Sequence, residues 1–300
     1  SLAHAEQPMR RVQQKAKISQ STYAKSAIRS TPVSRKSSIL EDVSIALTSA
    51  SVVEPSQNRV CSKAAFVAAF VLSGAAIAAP CPAPQALSPL FKVDRVIDGD
   101  TVKLDDGSSV RLTGFNAFEL KDSGWKRDYA FRAKRRAIEV LPESIQVTPW
   151  PAQRDRYGRL LGNLWMDGAY LSEVLVADGL ALAVSVPPEN RLTPCLLSIE
   201  WSARMSRVGV WSLGHLPERA RTLSNGGFHH RIGVVTDILD QTTMILDGKL
   251  RVVLPGIDPS VIMGARYEVR GWVSRSPKAL RADWPWTLKL KDFSNRVRVY

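Results

Sequence analysis

Short runs of alternating apolar and polar residues begin at Phe91 and form two blocks along the chain. In the first block, FKVDRVID, TVKLDD and SSVRLTGF alternate with a period of two. Asp-Gly pairs at 98–99 and 106–107 separate them, which is typical of strands joined by tight turns. SIQVTPW and RLLGNLWMDG further along show the same strand pattern. The first block therefore contains five predicted strands.

Three helices are predicted within the same block. In WKRDYAFRAKRRAIEVL, apolar residues recur every four positions and share one helix face: Trp125, Tyr129, Ala133 and Ala137, with Ile138 and Leu141 alongside. AYLSEVLVADGL reads as a second helix that ends at Gly179. Thr193 and Pro194, as N-cap and first helical residue, begin a third helix that extends to Gly209. Three strands, a helix, two strands and two helices predict an OB-type five-stranded β-barrel with three helices, mainly β with α (α+β).

The second block, residues 227–300, contains six strand patterns and almost no helix. They are RIGVVTDIL, TTMILDG, KLRVVLP, RYEVRGWVS, WTLKLKD and RVRVY. We expect a second small β-barrel of OB-like character here. The polar segment 213–226 is predicted to be a linker from the first domain, which we place at residues 88–212.

The N-terminal part of the chain differs from both blocks. Residues 1–63 are rich in Ser, Ala, Gln, Lys and Arg, and we expect a disordered basic segment. Residues 64–79 are uncharged, follow Arg59 and Lys63, and end in small residues, as in a secretory signal peptide. Their position some 60 residues into the chain leaves a membrane anchor as an alternative, and a buried helix as another. We expect a secreted or periplasmic protein, with membrane anchoring and transient membrane contact through residues 64–79 as the alternative.

Charge and cysteine content narrow the classes of function. The formal net charge is +13, which favours polyanionic partners such as nucleic acid. Residues 1–63 hold ten Lys/Arg and four Asp/Glu, so about half of the excess lies outside the predicted domains. The three cysteines and four histidines have no zinc-like spacing, so a bound metal is expected to be a hard cation held by oxygen atoms. If cleavage occurs near Ala78, Cys81 and Cys195 remain, either paired or as two free thiols.

The stretch VIDGDTVKL raises the question of a metal site. Alone, Asp98-Gly99-Asp100 is a common turn. Asp100 is nevertheless a hard ligand, and Asn116 with the carbonyl of Ala117 follows the end of the next strand pair. These three residues are candidate ligands for Ca²⁺.

A carboxylate and two arginines complete the candidate chemistry. Glu119 follows the predicted ligands closely enough to deprotonate water beside the metal. Arg111 and Arg159 are suited to bind a phosphate through paired hydrogen bonds. Taken singly, each arginine is more often a surface ion-pair partner, and a lone glutamate is more often solvated. Together they are what phosphodiester hydrolysis requires.

Four segments resemble the staphylococcal-nuclease-like (thermonuclease) family. They are VIDGDTVKL, VRLTGFNAFEL, DRYGRLLGNLWMDG with LSEVLVADGLA, and SARMSRVGVW, and they span residues 91–212 in order. The resemblance implies an OB-type barrel and Ca²⁺-dependent hydrolysis of DNA or RNA. By position it implies metal binding at Asp100, phosphate binding at Arg111 and Arg159, and water activation at Glu119. Asp98 matches a nearby acidic residue of the same loop.

The chain departs from the family after the arginine strand. The family has Asp-Thr-Pro-Glu there, and this chain has Asn116-Ala117-Phe118-Glu119. Asn in place of Asp removes a negative charge near the ion, and Phe in place of Pro leaves the orientation of the glutamate to packing. A barrel that binds nucleic acid without cleaving it is therefore the alternative function.

Secreted bacterial members of this family resemble the chain in three further features. These are a cysteine after the signal segment, another before the last helix, and a β-rich C-terminal extension. The resemblance thus implies a Cys81–Cys195 disulfide and export. In the extension, basic and aromatic residues are candidates for a surface that stacks single strands, or else structural residues of a barrel. They are Arg251, Arg266, Arg270, Arg275, Arg281 and Lys289, with Trp272, Trp284 and Trp286. Nucleic acid is the expected partner, and no protein partner is inferred.

Overall fold

A computed structural model of the chain describes residues 81–300, except 167 and 189. The predicted basic segment 1–63 and the apolar run 64–79 lie outside the described residues. Among the helices of the described part, none has both the length and the apolar character needed to cross a membrane.

The first domain contains the five predicted strands and three predicted helices in order, together with three further strands of two or three residues that the sequence did not predict. Its strands are β1 (Phe91–Asp98), β2 (Thr101–Leu104), β3 (Ser109–Leu112), β4 (Phe115–Ala117), β5 (Ser144–Arg154), β6 (Leu160–Met166), β7 (Ala169–Tyr170) and β8 (Ala181–Ala183). Its helices are α1 (Trp125–Val140), α2 (Leu171–Ala177) and α3 (Thr193–Met205). The third helix ends before the predicted Gly209, since Arg207 and Gly209 have positive φ and residues 209–213 form a 3₁₀ turn.

Five of these strands close into a barrel. Antiparallel pairs join β1 to β2, β2 to β3, β1 to β5 and β5 to β6, and a parallel pair of β3 with β6 completes the circle. This confirms the predicted OB-type topology. The apolar face of α1 lies against the barrel through Tyr129, Ala133 and Ala137, whereas Ile138 is 56% exposed, contrary to its predicted place on the packed face.

A disulfide bond links Cys81 to Cys195 at the start of α3. The two Cα atoms are 5.3 Å apart, although 114 positions separate the residues along the chain. The bond therefore attaches Cys81 to the helical side of the domain.

The second domain is also a closed five-stranded barrel, as predicted. Its strands are β9 (Glu218–Arg219), β10 (Gly227–Asp240), β11 (Thr243–Leu246), β12 (Leu250–Val253), β13 (Arg266–Arg275), β14 (Trp286–Lys289) and β15 (Arg296–Val299). Strands β10, β11, β12, β14 and β13 form the circle. The predicted linker 213–226 is partly built into this domain, because β9 pairs with β10 and Ala220 and Leu223 are buried in the second core.

The two barrels share their topology and the register of their first hairpin. In the first barrel β3 and β6 are parallel, and in the second β12 and β14 are parallel; in chain order these are the third and fifth barrel strands. Every other neighbouring pair of barrel strands is antiparallel. Asp98 pairs with Thr101 in β1–β2, and Asp240 pairs with Thr243 in β10–β11, with register shifts at matching points. The described part of the chain thus contains two OB-type barrels with the same topology.

Buried polar contacts join the two barrels within one compact unit. Arg270 on β13 donates to Glu200 on α3 at 2.7 Å and to the carbonyl of Ala183 at 2.8 Å. A second ion pair crosses the same interface: Arg204 on α3 donates to both carboxylate oxygens of Glu268 on β13, at 3.0 and 3.1 Å. Because these groups are largely removed from water, the interface holds the barrels in a fixed relation.

Candidate active site

The β1–β2 turn places two carboxylates beside α1. Asp98 Oδ1 accepts a hydrogen bond from the backbone nitrogen of Asp100 at 3.2 Å, which orients the turn. A Cβ atom added at Gly99 would lie 2.7 Å from that of Ala117 and 2.8 Å from that of Ala133. Glycine is therefore needed here for close approach, and the turn packs tightly between β4 and α1.

Asp100 is the centre of a buried hydrogen-bonded cluster. Its side chain pairs with the Arg111 guanidinium, and its Oδ2 accepts from the backbone nitrogen of Ala117 at 3.0 Å. Arg111 also donates to Asn116 Oδ1 at 3.0 Å, and Asn116 Nδ2 donates to the carbonyl of Ala117 at 2.6 Å. Asp100 and Asn116 are only 2% and 4% exposed. The turn, β3 and β4 thus bring four predicted site residues into direct contact.

The pKa of Arg111 is influenced by burial and by four neighbouring charges. Burial lowers the pKa of its guanidinium below the ordinary value. The negative charge of Asp98 raises that pKa, and the positive charge of Arg159 lowers it. Glu119 and Asp155 raise it as well. These four charges act on the ionisation of Arg111, whereas its direct contacts are with Asp100 and Asn116.

Arg159 is held in place by an aspartate that precedes it in the β5–β6 turn. Asp155 Oδ2 accepts from Arg159 Nε at 2.8 Å and from its Nη2 at 2.7 Å. Asp155 Oδ1 accepts from the backbone nitrogens of Tyr157 and Arg159 at 2.8 and 3.0 Å. The same carboxylate thus shapes the turn and aims the guanidinium. One third of the Arg159 side chain remains accessible to a ligand, at 33% exposure.

Glu119 lies on the loop after β4, where packing and hydrogen bonds take the place of the proline found in the family. Phe118 is buried and packs edge-on against Trp125, with ring centroids 5.2 Å apart. Asp122 Oδ2 accepts from the Glu119 backbone nitrogen at 3.0 Å, and the Asp122 nitrogen donates back to the Glu119 carbonyl at 2.9 Å. The Glu119 side chain is 48% exposed, so water and substrate can reach it.

Two cavities border the cluster. One, of about 790 Å³, is lined by Asn116, Ala117 and Glu119 together with residues 225–229 of the second domain. The other, of about 160 Å³, is lined by Arg111 and the start of the β3–β4 segment. Trp272 lines both. Of the predicted site residues, Arg111 thus faces the smaller cavity and Asn116, Ala117 and Glu119 face the larger one, with the second barrel forming part of the wall. Asp100 and Arg159 line neither cavity.

The donor atoms near Asp100 suit a hard cation by their chemistry. A carboxylate, an amide oxygen and a backbone carbonyl lie within one hydrogen-bonded cluster, and all are oxygen donors. Among residues that the structure describes, no group of three or more His, Cys, Asp or Glu side chains is placed to hold a metal. The predicted ligands Asp100, Asn116 and Ala117 therefore fit a divalent ion by donor type, with a single negative charge among them.

Sequence reasoning missed Asp155 and Asp122, and it named Trp272 only as part of a surface on the second domain. Asp155 begins the DRYGRL segment, and an aspartate three residues before a turn glycine is a usable signal for a side chain that organises the turn. Asp122 carries no comparable local signal. Trp272 was a candidate for stacking single strands, but its place beside this cluster arises from contacts between separate segments.

The second barrel lacks the residues of the first at equivalent positions. Arg111 pairs with Thr101 in the first barrel, and Val253 pairs with Thr243 in the second. Thr242 takes the place of Asp100, one residue before Thr243. Of the two alternatives for the basic and aromatic residues of this barrel, Arg270 and Trp286 fit the structural one, since they are 4% and 5% exposed. Only the first barrel carries the cluster.

The fold and the site define an OB-type α+β protein with an arginine–carboxylate cluster suited to a phosphate ester. The family described as "Staphylococcal nuclease homologue" matches residues 109–213. An "Uncharacterized endonuclease" of Escherichia coli O157:H7 is 33% identical over 125 residues, which cover 40% of this chain and 76% of that protein. The chain therefore belongs to the staphylococcal nuclease family, as the four segments predict.

Two further relatives show similar matches. A "Thermonuclease" of Staphylococcus intermedius is 28% identical over 126 residues, covering 40% of this chain and 75% of that protein. The "SPbeta prophage-derived endonuclease YokF" of Bacillus subtilis is 26% identical over 135 residues, covering 42% of this chain and 46% of that protein. The family match ends at residue 213, so the second barrel lies outside it.

Proposed function

We propose that this chain is a nuclease, a hydrolase that cleaves phosphodiester bonds of DNA or RNA. The observation that carries this proposal is the contact of Arg111 with Asp100 and Asn116 in one buried cluster. The names of the relatives, endonuclease and thermonuclease, support the same activity. A basic chain of net charge +13 suits an anionic polymer substrate.

Each residue has a defined task in hydrolysis. Arg111 and Arg159 bind the scissile phosphate and offset the charge that develops on its oxygens. Glu119 accepts a proton from water as the water oxygen forms a bond to phosphorus and the bond to the leaving oxygen breaks. The leaving oxygen then takes a proton from solvent. Asp155 keeps Arg159 oriented, and the Phe118–Trp125 contact keeps Glu119 at the edge of the larger cavity.

We further propose that a divalent ion, Ca²⁺, binds at Asp100, Asn116 and the carbonyl of Ala117. When bound, such an ion neutralises charge on the phosphate oxygens. Asp100 and Asn116 both accept hydrogen bonds from Arg111. A bound phosphate would attract Arg111, and the carboxylate and amide oxygens would then become available to the ion. Calorimetric titration of Ca²⁺ into the wild type and into Asp100→Asn, each saturated with a non-hydrolysable oligonucleotide analogue so that Arg111 is engaged by phosphate, tests this without measuring activity. Equal affinities would rule out Asp100 as a ligand.

Cleavage of a labelled oligonucleotide tests the catalytic assignment. Glu119→Gln and Arg159→Ala should each reduce the rate by about a hundredfold or more, since a general base or a charge-stabilising donor contributes on that scale. Glu143→Gln and Arg95→Ala are matched controls, because Glu143 is 80% exposed and Arg95 is 64% exposed. Wild-type rates in the first two variants would disprove the assignment.

The competing function is a barrel that binds nucleic acid without cleaving it. The substitution of Asn116 for a carboxylate, which leaves one negative charge in the ligand set, is the observation that favours it. Wild-type protein that retains oligonucleotide but produces no fragments, with Ca²⁺ or with chelator, would establish this alternative and reject the nuclease.

We also propose that the protein is exported to an oxidising compartment. The Cys81–Cys195 disulfide supports this, since such bonds persist outside the cytosol. N-terminal sequencing of the mature protein tests it. A start near residue 80 is expected, whereas an intact segment 64–79 in a membrane pellet would identify an anchor instead.

A further inference from the structure

Strand β13 points alternate side chains at the first barrel, and this places Trp272 at the candidate active site. Tyr267, Val269 and Val273 face the core of the second barrel. Glu268 and Arg270, on the opposite face, bind α3 of the first barrel. Trp272 follows on that same face, two residues beyond Arg270. Its position is therefore set by the buried interface between the barrels.

Trp272 is the exposed member of an aromatic pair. It packs edge-on against Phe228, its neighbour across β10 and β13, with ring centroids 5.1 Å apart. Phe228 also packs against the core of the first barrel, which anchors the pair. Trp272 itself is 42% exposed. An indole held rigidly from behind but open to solvent can stack a ligand ring at a low entropic cost.

Trp272 stands between the two cavities that border the cluster. It lines the cavity of about 160 Å³ with Arg111 and the cavity of about 790 Å³ with Asn116 and Glu119. Lys121 and Lys126 also line the larger cavity, together with the carboxylates of Glu119 and Asp122. A ring stacked on Trp272 would therefore lie next to a phosphate bound by Arg111, which is the arrangement of a base and its phosphate in one nucleotide.

We propose that Trp272, supported by Phe228, stacks an unpaired nucleobase next to the scissile phosphate. The proposal rests on the proposed nuclease function and assigns part of the substrate site to the second barrel. An aromatic face stacks any base, but only a single strand or a frayed end presents that base unpaired. The site thus favours single-stranded substrate over duplex, and a base over an abasic nucleotide.

The test compares Trp272→Ala with wild type on three probes of one sequence. They are a single-stranded oligonucleotide, its duplex, and a single strand carrying an abasic residue beside the cleaved bond. Removal of one base-stacking aromatic should raise KM for the intact single strand roughly five- to hundredfold. The variant should then treat intact and abasic strands alike. Trp272→Phe should restore most of the preference, because a smaller ring still stacks.

Trp201→Ala is the matched control. Trp201 is 60% exposed and lines neither cavity, so its removal should leave all three KM values unchanged. Fluorescence anisotropy in a Glu119→Gln background measures binding of the same probes without cleavage. If no probe is cleaved by wild type, the nuclease assignment fails, and this binding comparison still tests Trp272. Equal discrimination by wild type and Trp272→Ala, or an equal loss of duplex and single-strand binding, would overturn the stacking role.

Discussion

Arg270 of the second barrel and Glu200 of the first form a buried ion pair, with Arg270 Nη1 2.7 Å from each carboxylate oxygen of Glu200. The two residues are 4% and 2% exposed. Glu200 also accepts from the backbone nitrogen of Ala183 at 2.7 Å, and Arg270 donates to the carbonyl of the same residue. The pair therefore ties α3, β8 and β13 together, and it holds the face of β13 that carries Trp272.

Loss of one partner of this pair should destabilise the protein strongly. Arg270→Met leaves the Glu200 carboxylate buried without a counter-charge, so the free energy of unfolding should fall by about 3–5 kcal/mol. Urea denaturation measures the change. The double variant Arg270→Met with Glu200→Gln should recover about half of that loss, because neither position then holds an uncompensated charge and the amide oxygen still accepts from Ala183.

The exposed pair of Arg135 and Glu139 on α1 is the control for that experiment. Their side chains are 73% and 51% exposed, so Arg135→Met should change the free energy of unfolding by less than about 1 kcal/mol. Equal effects of Arg135→Met and Arg270→Met would contradict a special role for the buried pair.

Asp155→Asn should impair catalysis through Arg159. The amide keeps an acceptor for the turn nitrogens of Tyr157 and Arg159 but no longer fixes the guanidinium by charge. We expect kcat to fall about tenfold, corresponding to about 1.4 kcal/mol of lost transition-state stabilisation. Steady-state cleavage assays measure kcat and KM separately.

Asp106→Asn serves as the matched control for Asp155→Asn. Asp106 organises the β2–β3 turn by accepting from Ser108 nitrogen and Oγ at 2.8 and 2.6 Å. Because no arginine is hydrogen-bonded to it in the described part of the chain, its loss should leave kcat unchanged. An unaltered kcat in Asp155→Asn would show that Arg159 needs no such support.

Reduction of the Cys81–Cys195 bond should lower stability. The bond closes a loop of 114 residues, and loss of a native disulfide costs roughly 2–5 kcal/mol. Thermal melts with and without dithiothreitol should therefore differ for the wild type. The double variant Cys81→Ser with Cys195→Ser should melt at the temperature of the reduced wild type and show no further response to the reductant. A response in that variant would mean that the reductant acts elsewhere.

Mild acid should destabilise the protein through His229. Burial, with the charges of Arg231 and Lys126, lowers the pKa of His229 to about 4. Between pH 6.5 and about 4 the unfolded chain binds a proton at this position that the folded chain does not, so stability falls as pH falls. The slope for one such group is about 1.4 kcal/mol per pH unit.

His230 shares this behaviour, since burial and Arg270 lower its pKa as well. Urea denaturation at pH 7, 6 and 5 should show a shallower decline for His229→Gln than for wild type. Although burial of Glu268 opposes its ionisation, hydrogen bonds from His230 and Arg204 lower its pKa to about 2, so its stabilising effect is lost only below about pH 4.5. Parallel declines in wild type and His229→Gln would refute the assignment to His229.

Local pattern determined the three helices and the five barrel strands of residues 91–212, because period-two and period-four repeats indicate which face of an element is buried. It also identified six strands in residues 227–300. The candidate site residues Asp100, Arg111, Asn116, Ala117, Glu119 and Arg159 were chosen from the sequence by type and by their place at strand ends. Their mutual contacts depend on barrel closure, which local pattern does not encode.

Only the tertiary structure decided which residue of the second barrel lies at the candidate active site. The sequence shows Trp272, Arg270 and Trp286 as similar members of one basic and aromatic group. In the folded chain Arg270 is buried against Glu200, Trp286 is buried in its own domain, and Trp272 opens onto the active-site cavities. The burial of Arg270 and the exposure of Trp272 depend on which face of β13 packs against the first barrel. That packing depends on contacts between residues far apart in the chain.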